Sequence, residues 1–449
     1  MSSSPLADTR IGQEAPARAL LLSKEEHKKY AAYLNSDESV PFDMSASVLS
    51  GSIGVQESIL KKAARITHIF HRVCRALHAK MQTDTELRNK LLRPLSSLPI
   101  AKESACSAEF FLQFFRLDFF TDAKSGDLHI MELNSGGASL TDFLQCTRYL
   151  KKHHSFKPPA GFLPLETSTM LECVLSHCEK QNVKTLGFVA IENGVIDYLW
   201  EYLEYARWMQ KNSHIRPVFL ELTNGVLSPI SHKDVPCDFS DLRELDCVFS
   251  DWFEDLPGLE RVQKQLNECG IKTIPARSDI LFESKHFLSV LPHIEKPTAI
   301  NTEDWLILQS VLLPSFPLEE LCDRLEEIRS WPGCVLKMDI DCASENVHVY
   351  DFSKISFEEV MKKLSRRQDG TTWTIQKFVQ PPKLPMSGPT PKWIEYDYTK
   401  YKFDLMTYMC IVNNKPHVLF GSRLFSLDKW DELTEEGRED GMYCPIATI

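Results

Sequence analysis

The sequence predicts an α/β protein, α+β overall, in which a parallel α/β unit lies in the chain between segments that read as antiparallel strands. Three observations predict it. Between Thr185 and Ser278 short apolar strands alternate with amphipathic helices, the pattern of a parallel layer covered by helices. Beyond Ser330 the chain reads as successive apolar strands, GCVLKMDI, ENVHVYDF, TWTIQKFV, KFDLMTYMCIVN and KPHVLFGSRLF, as in antiparallel sheet. Ahead of both stands FFLQFFRLDFFTDAKSGDLHIMELNSGG, two strand patterns joined by a polar turn at Asp122 to Asp127.

Size and composition agree. A chain of 449 residues exceeds what one hydrophobic core serves, so two or three subdomains are expected. Hydrophobic residues at 43% and charged residues at 25% exclude a disordered or fibrous chain. A formal charge of -11 argues against a nucleic-acid partner, because phosphate binding needs a basic face. The N-terminal Leu run lacks the basic and apolar regions of a signal peptide, and no apolar stretch approaches the roughly 20 residues of a membrane span. Thirteen cysteines scattered without a CxxC pair argue against a disulfide framework and a structural zinc site. The expected location is cytoplasmic. The expected partners are small molecules, with no nucleic acid and no membrane, and the oligomeric state is left open.

In chain order, residues 1–22 begin Ser-rich and read as a disordered tail. Residues 23–160 form a helical lead-in followed by the hairpin; SILKKAARITHIFHRVCRALHAKM is strongly amphipathic. The connector KKHHSFKPPAGFLP marks a boundary, and residues 161–295 form the parallel unit, with Gly270 at the expected helix C-cap. Residues 296–449 carry the antiparallel strands, interrupted by the Pro-rich loop QPPKLPMSGPTPKWIEYDYTK.

Chemistry-bearing residues fall in three groups. Arg116 and Asp118 are two apart on one strand and Glu132 and Asn134 two apart on the next, so each pair shares a face. Three oxygen ligands and a guanidinium on one wall suit Mg²⁺ and an anion, although a hairpin face that is merely solvated carries the same pattern. Lys337 closes the apolar run GCVLK, Lys377 lies inside TWTIQKFV and Lys285 opens a helix after ILFES. Each lysine alone reads first as an ordinary strand-edge residue; within an apolar run it must be paired or serve a phosphate. Asp404 and Arg423 bound the last hairpin, and an Arg there would neutralise a transferring phosphoryl group or cap the strand as a salt bridge.

Taken in order, these segments resemble ATP-grasp ligases. FFRLDFFTDAKSGDLHIMELNSGG is similar to their R-x-D, turn, E-x-N magnesium segment, and its place ahead of the lysines resembles the circularly permuted branch of eukaryotic glutathione synthetase and glutathionylspermidine synthetase. The resemblance implies an ATP-grasp fold with an inserted substrate domain, ATP and Mg²⁺ as cofactors, and Asp118, Glu132, Asn134 and Asp341 as metal ligands. It implies Lys285, Lys337, Gln376, Lys377 and Phe378 around the nucleotide, and Arg116 and Arg423 as catalytic cations. The implied activity is an ATP-dependent carboxylate–amine ligase that forms an amide through an acyl phosphate and releases ADP and phosphate.

KFDLMTYMCIV also resembles a strand of tubulin tyrosine ligase-like enzymes, with Met406 where that pattern has Arg; segment order favours the permuted branch. The lid stretch CASEN carries no glycine, whereas backbone approach to phosphates favours glycines. A non-catalytic nucleotide-binding regulator of the same fold, or a structural interaction protein, fits that departure. Glu192, Asn193, Asp251 and Trp252, after strands of the parallel unit, read equally as ordinary loop residues.

Overall fold

A computed structural model describes residues 17–21, 23–34, 51–95, 112–122, 127–135, 167–192, 199–249, 256–274, 279–339, 347–366, 372–383, 401–413, 415–426 and 442–448, with a few isolated positions between them. Three sheets organise these residues. The central sheet has eight strands in the order β1 (Ala17–Leu21), β2 (Gly51–Val55), β17 (Met442–Thr448), β16 (Lys415–Ser426), β15 (Leu405–Val412), β3 (Phe114–Thr121) and β4 (Leu128–Ser135), and β14 (Tyr401–Phe403) also pairs with β16. Its neighbours are antiparallel except β2 and β17.

A second sheet of four antiparallel strands runs β10 (Ser315–Pro317), β13 (Trp373–Lys377), β11 (Gly333–Met338) and β12 (Val347–Asp351). Gly333 opens β11 where a Cβ would lie 2.3 Å from the Tyr350 carbonyl oxygen, so only glycine lets β11 and β12 pair this closely. The third sheet, β7 (Val226–Ile230), β6 (Arg216–Thr223), β5 (Thr185–Glu192), β8 (Cys247–Phe249) and β9 (Lys272–Ile274), is parallel apart from the β6–β7 hairpin. This is the expected α/β layer. Its helix Leu256–Cys269 ends before Gly270, which takes φ +70.

The structure departs from the sequence reading in two places. Ala17–Leu21 lies within the segment read as a disordered tail, yet it pairs along its whole length with Gly51–Val55, because ladder bonds to β2 give its backbone partners that water would otherwise supply. Residues 281–294, assigned to the parallel unit, place Leu281, Phe282, Phe287, Leu288 and Leu291 in the core of the central sheet. The last strand of that unit is Lys272–Ile274.

The helix Glu57–Met81 covers one face of the central sheet. Its buried residues recur three and four apart, Leu60, Ala63, Ala64, Thr67, Phe70, Cys74 and Leu77, which makes one apolar stripe along 25 residues. Thr67 and Thr407 share a 2.7 Å hydrogen bond that fixes the helix over β15. On β3 the odd residues Phe115, Leu117 and Phe119 face this core. The even residues point to the other face. There Phe114 packs with Met406, Tyr408 and Cys410 against the helix Thr167–Lys180 and the parallel sheet, and one step further along β3 the apolar face gives way to Arg116 and Asp118.

Phe70 is fully buried, with ring centroids 6.4 Å from Phe115 and 6.1 Å from Phe287, so it links the helix to β3 and to the segment that carries Lys285. Phe70→Ala is expected to cost about 3–5 kcal/mol, measured as a lower urea midpoint with unchanged slope.

Candidate functional site

The site is built on the β3–β4 hairpin. Register places Arg116 opposite Asn134 and Asp118 opposite Glu132, so the four side chains predicted to share a wall do so. Arg116 donates to both oxygens of Asp118, from Nε at 2.7 Å and from Nη2 at 3.0 Å, a two-pronged pair in which both residues are buried. The same Nη2 lies 4.0 Å from Glu132 Oε1. The Asn134 Nδ2 amide is buried and has no hydrogen-bond partner among the described residues.

Below Glu132 the ladder slips. Asp118 pairs with Glu132 but Phe119 pairs with Ile130, which leaves Met131 as the extra residue of a β-bulge. Its carbonyl accepts a hydrogen bond from Lys337 Nζ at 3.2 Å. Lys337 thus reaches from the four-stranded sheet to the central one. Its side chain shares a face with Val335, Thr374 and Gln376, while Cys334, Leu336 and Ile375 pack on the other face under the helix Phe357–Leu364. Lys337 is buried, and burial above all lowers its pKa from 10.5 to about 8; Glu132 and Asp118 raise it, and Lys285 lowers it.

Lys285 opens the short helix Lys285–Val290 and sets its Nζ 3.5 Å from Glu132 Oε2. Its backbone N–H donates to the Asp339 carbonyl at 2.8 Å. Among the described residues three cations, Arg116, Lys285 and Lys337, gather around two carboxylates, Asp118 and Glu132.

The other predicted residues fall out unevenly. Gln376 is buried on the Lys337 face, and its Oε1 has no partner among the described residues. Lys377 points from the opposite face of β13 by strand alternation, and its charge helps to lower the pKa of His129, which falls chiefly through burial. Phe378 is buried next to it, with its N–H on the Gly333 carbonyl at 3.0 Å. Arg423 lies on β16 opposite Tyr443. Asp341, the CASEN lid, Asn193, Asp251 and Trp252 lie outside the described residues, as does the side chain of Glu192.

Sequence reasoning missed Met131, Asp339, Asp279 and Glu283. Asp339 is buried, accepts from Thr374 Oγ1, and is pushed up to about 6, first by burial. Asp279 accepts the Leu112 N–H at 2.8 Å and Glu283 the Ser135 N–H at 2.5 Å. The two acids stand four apart just before Lys285, a visible spacing, but their partners are backbone groups about 150 residues away that no side-chain pattern reveals.

The donor set fits a magnesium ion. Magnesium is held by one or two carboxylates and completed by substrate phosphates and water, not by an all-protein cage. Glu132 and Asn134 place a carboxylate and a side-chain amide on one face, with Asp118, whose two oxygens accept from Arg116, across from them; no group of three or more His, Cys, Asp or Glu gathers among the described residues.

No protein-family model matches the chain, and no curated protein matches it. Among solved structures it is similar to D-alanyl-alanine synthetase A from Vibrio cholerae O1 biovar eltor str. N16961, at 9% identity and a TM-score of 0.33, over 56% of this chain and 72% of that one. It is also similar to a gamma-glutamylcysteine synthetase-like protein from Methylobacillus flagellatus KT, at 11% identity and a TM-score of 0.40, over 78% of this chain and 82% of that one. No helix among the described residues is long and apolar enough to cross a membrane.

Lys337 yields a pH prediction. Its folded pKa of about 8 lies below its ordinary value of 10.5, so between those values the unfolded chain binds more protons and this group makes stability rise with pH. The charged form is a burden of about 3 kcal/mol below pH 8 that fades toward pH 10.5. The stability of Lys337→Met relative to the native chain is therefore expected to fall by about that amount between pH 8 and 10.5, whatever offset the lost Met131 hydrogen bond adds. Paired urea melts across that range measure it, and a pH-independent difference would refute it.

Proposed function

We propose that the chain is an ATP- and magnesium-dependent carboxylate–amine ligase of the ATP-grasp type, forming an amide through an acyl phosphate and releasing ADP and phosphate. The observation that carries the proposal is the meeting of Lys285 and Lys337, from two separate elements, over the Glu132 and Asn134 wall. Two ammonium groups above hard oxygen donors match the needs of a metal-bound polyphosphate.

ATP would supply the phosphoryl group, and the metal would offset its charge. Lys285 and Lys337 would neutralise the phosphates, and Glu132 would hold the metal that offsets the remaining charge. Arg116 is held by Asp118 in one orientation, so its guanidinium is ready for the anionic reacting group without reorganisation. Because both Asp118 oxygens already accept from Arg116, Glu132 and Asn134 are the principal metal ligands and Asp118 is the lesser one. The unpaired Gln376 Oε1 offers an acceptor to the base, next in sequence to Lys377 and Phe378. The roles of Asp341 and Arg423, and the permuted glutathione synthetase-like branch, rest on the sequence resemblance. The substrates are a small carboxylic acid and a small amine.

ATP with magnesium is expected to stabilise the native chain by about 2.7 kcal/mol at a hundredfold excess over Kd, and by nothing measurable in Glu132→Ala. Calorimetric melting reads both. A native chain that shows no shift at millimolar ATP would overturn the proposal, and a positive result leads to ADP release as the assay for acid and amine pairs.

A further inference from the structure

The stretch from Asp279 to Lys285 touches both strands of the hairpin, Glu132 and the exit of β11. Asp279, fully buried, accepts the N–H of Leu112, two residues before β3 begins. Glu283 accepts the N–H of Ser135, the last residue of β4. In an antiparallel hairpin these two points are the same end, and Phe115 pairs directly with Ser135. One short segment thus grips both strands of the Arg116/Asp118 and Glu132/Asn134 wall at its open end. Two residues later the Lys285 N–H bonds the Asp339 carbonyl at the exit of β11, two residues past Lys337. Phe282 and Phe287, with ring centroids 5.1 Å apart, anchor the segment in the core.

Leu112 has a φ of 22°, a left-handed conformation that a leucine adopts only under constraint. The buried Asp279 carboxylate supplies that constraint.

On the nucleotide-site reading above, we propose that Asp279 and Glu283 are positioning residues: their carboxylates clasp the hairpin end so that Lys285 stands over Glu132 and in register with Lys337. Glu283 is the sharper test, because its acceptor oxygen holds the backbone one residue past Asn134. Losing that bond frees the end of β4, and Glu132, Asn134 and Lys285 lose their common frame. Neither acid needs to touch the ligand.

The test uses the full chain and reads the ATP concentration that gives half the maximal rise in melting temperature, at fixed magnesium. Glu283→Ala is expected to raise that concentration at least about tenfold, the usual effect of removing a group that orients a ligand. Glu283→Gln keeps an acceptor at the same reach and is expected to stay within about threefold, since a neutral acceptor costs only part of a charged hydrogen bond. Glu283→Asp is one methylene too short and should fall with alanine; this variant decides the matter if alanine does not fold. A merely structural glutamate would lower the ligand-free melting temperature without separating Asp from Gln in ATP affinity. Equal ATP affinity in Glu283→Asp and Glu283→Gln overturns the clasp alone, whereas a native chain without any ATP shift overturns the nucleotide reading and the clasp together.

Discussion

The cleft depends on how one carboxylate is compensated. Glu132 is four-fifths buried and lies between Lys285 on one oxygen and Arg116 on the other, with Lys337 close enough for its proton affinity to respond. An uncompensated carboxylate there would be expensive, and so would each of the cations. The groups are mutually necessary. They come from β3, β4, β11 and the helix at Lys285, so the site joins the four-stranded sheet to the central one.

The β-bulge at Met131 lies where the two sheets meet. The Met131 carbonyl accepts from Lys337, and Phe120, Met131, Leu313 and Val379 close together around the junction. Dry surroundings of this kind strengthen every electrostatic contact nearby and lower the lysine's proton affinity.

Part of this was legible in the sequence. Two-residue spacing on two adjacent strands is enough to place Arg116 with Asp118 and Glu132 with Asn134, and the alternation of strand and helix patterns is enough to foresee the parallel layer. The rest depended on information that local patterns do not contain. ARALL is too short to distinguish from a tail until β2 pairs with it, and a bulge is a property of two strands together. Lys285 and Lys337 each look ordinary alone; they meet Glu132 only because the segment at 279–285 bonds backbone groups on the hairpin and at the exit of β11. Residues 281–294 were misplaced for the same reason, since their helical pattern announces a buried face without saying against which sheet.

Met406 bears on how Arg116 is used. It stands directly opposite Asp118 on β15, fully buried, and Tyr408 stands opposite Arg116. A second guanidinium beside Asp118 would compete for its oxygens and hold them apart from Arg116. A methionine leaves both oxygens to Arg116 and keeps water away from the pair, which is the condition under which a two-pronged ion pair holds one geometry. An Arg placed at 406 would bring a buried charge among Phe114, Tyr408 and Leu419, beside the Arg116–Asp118 pair.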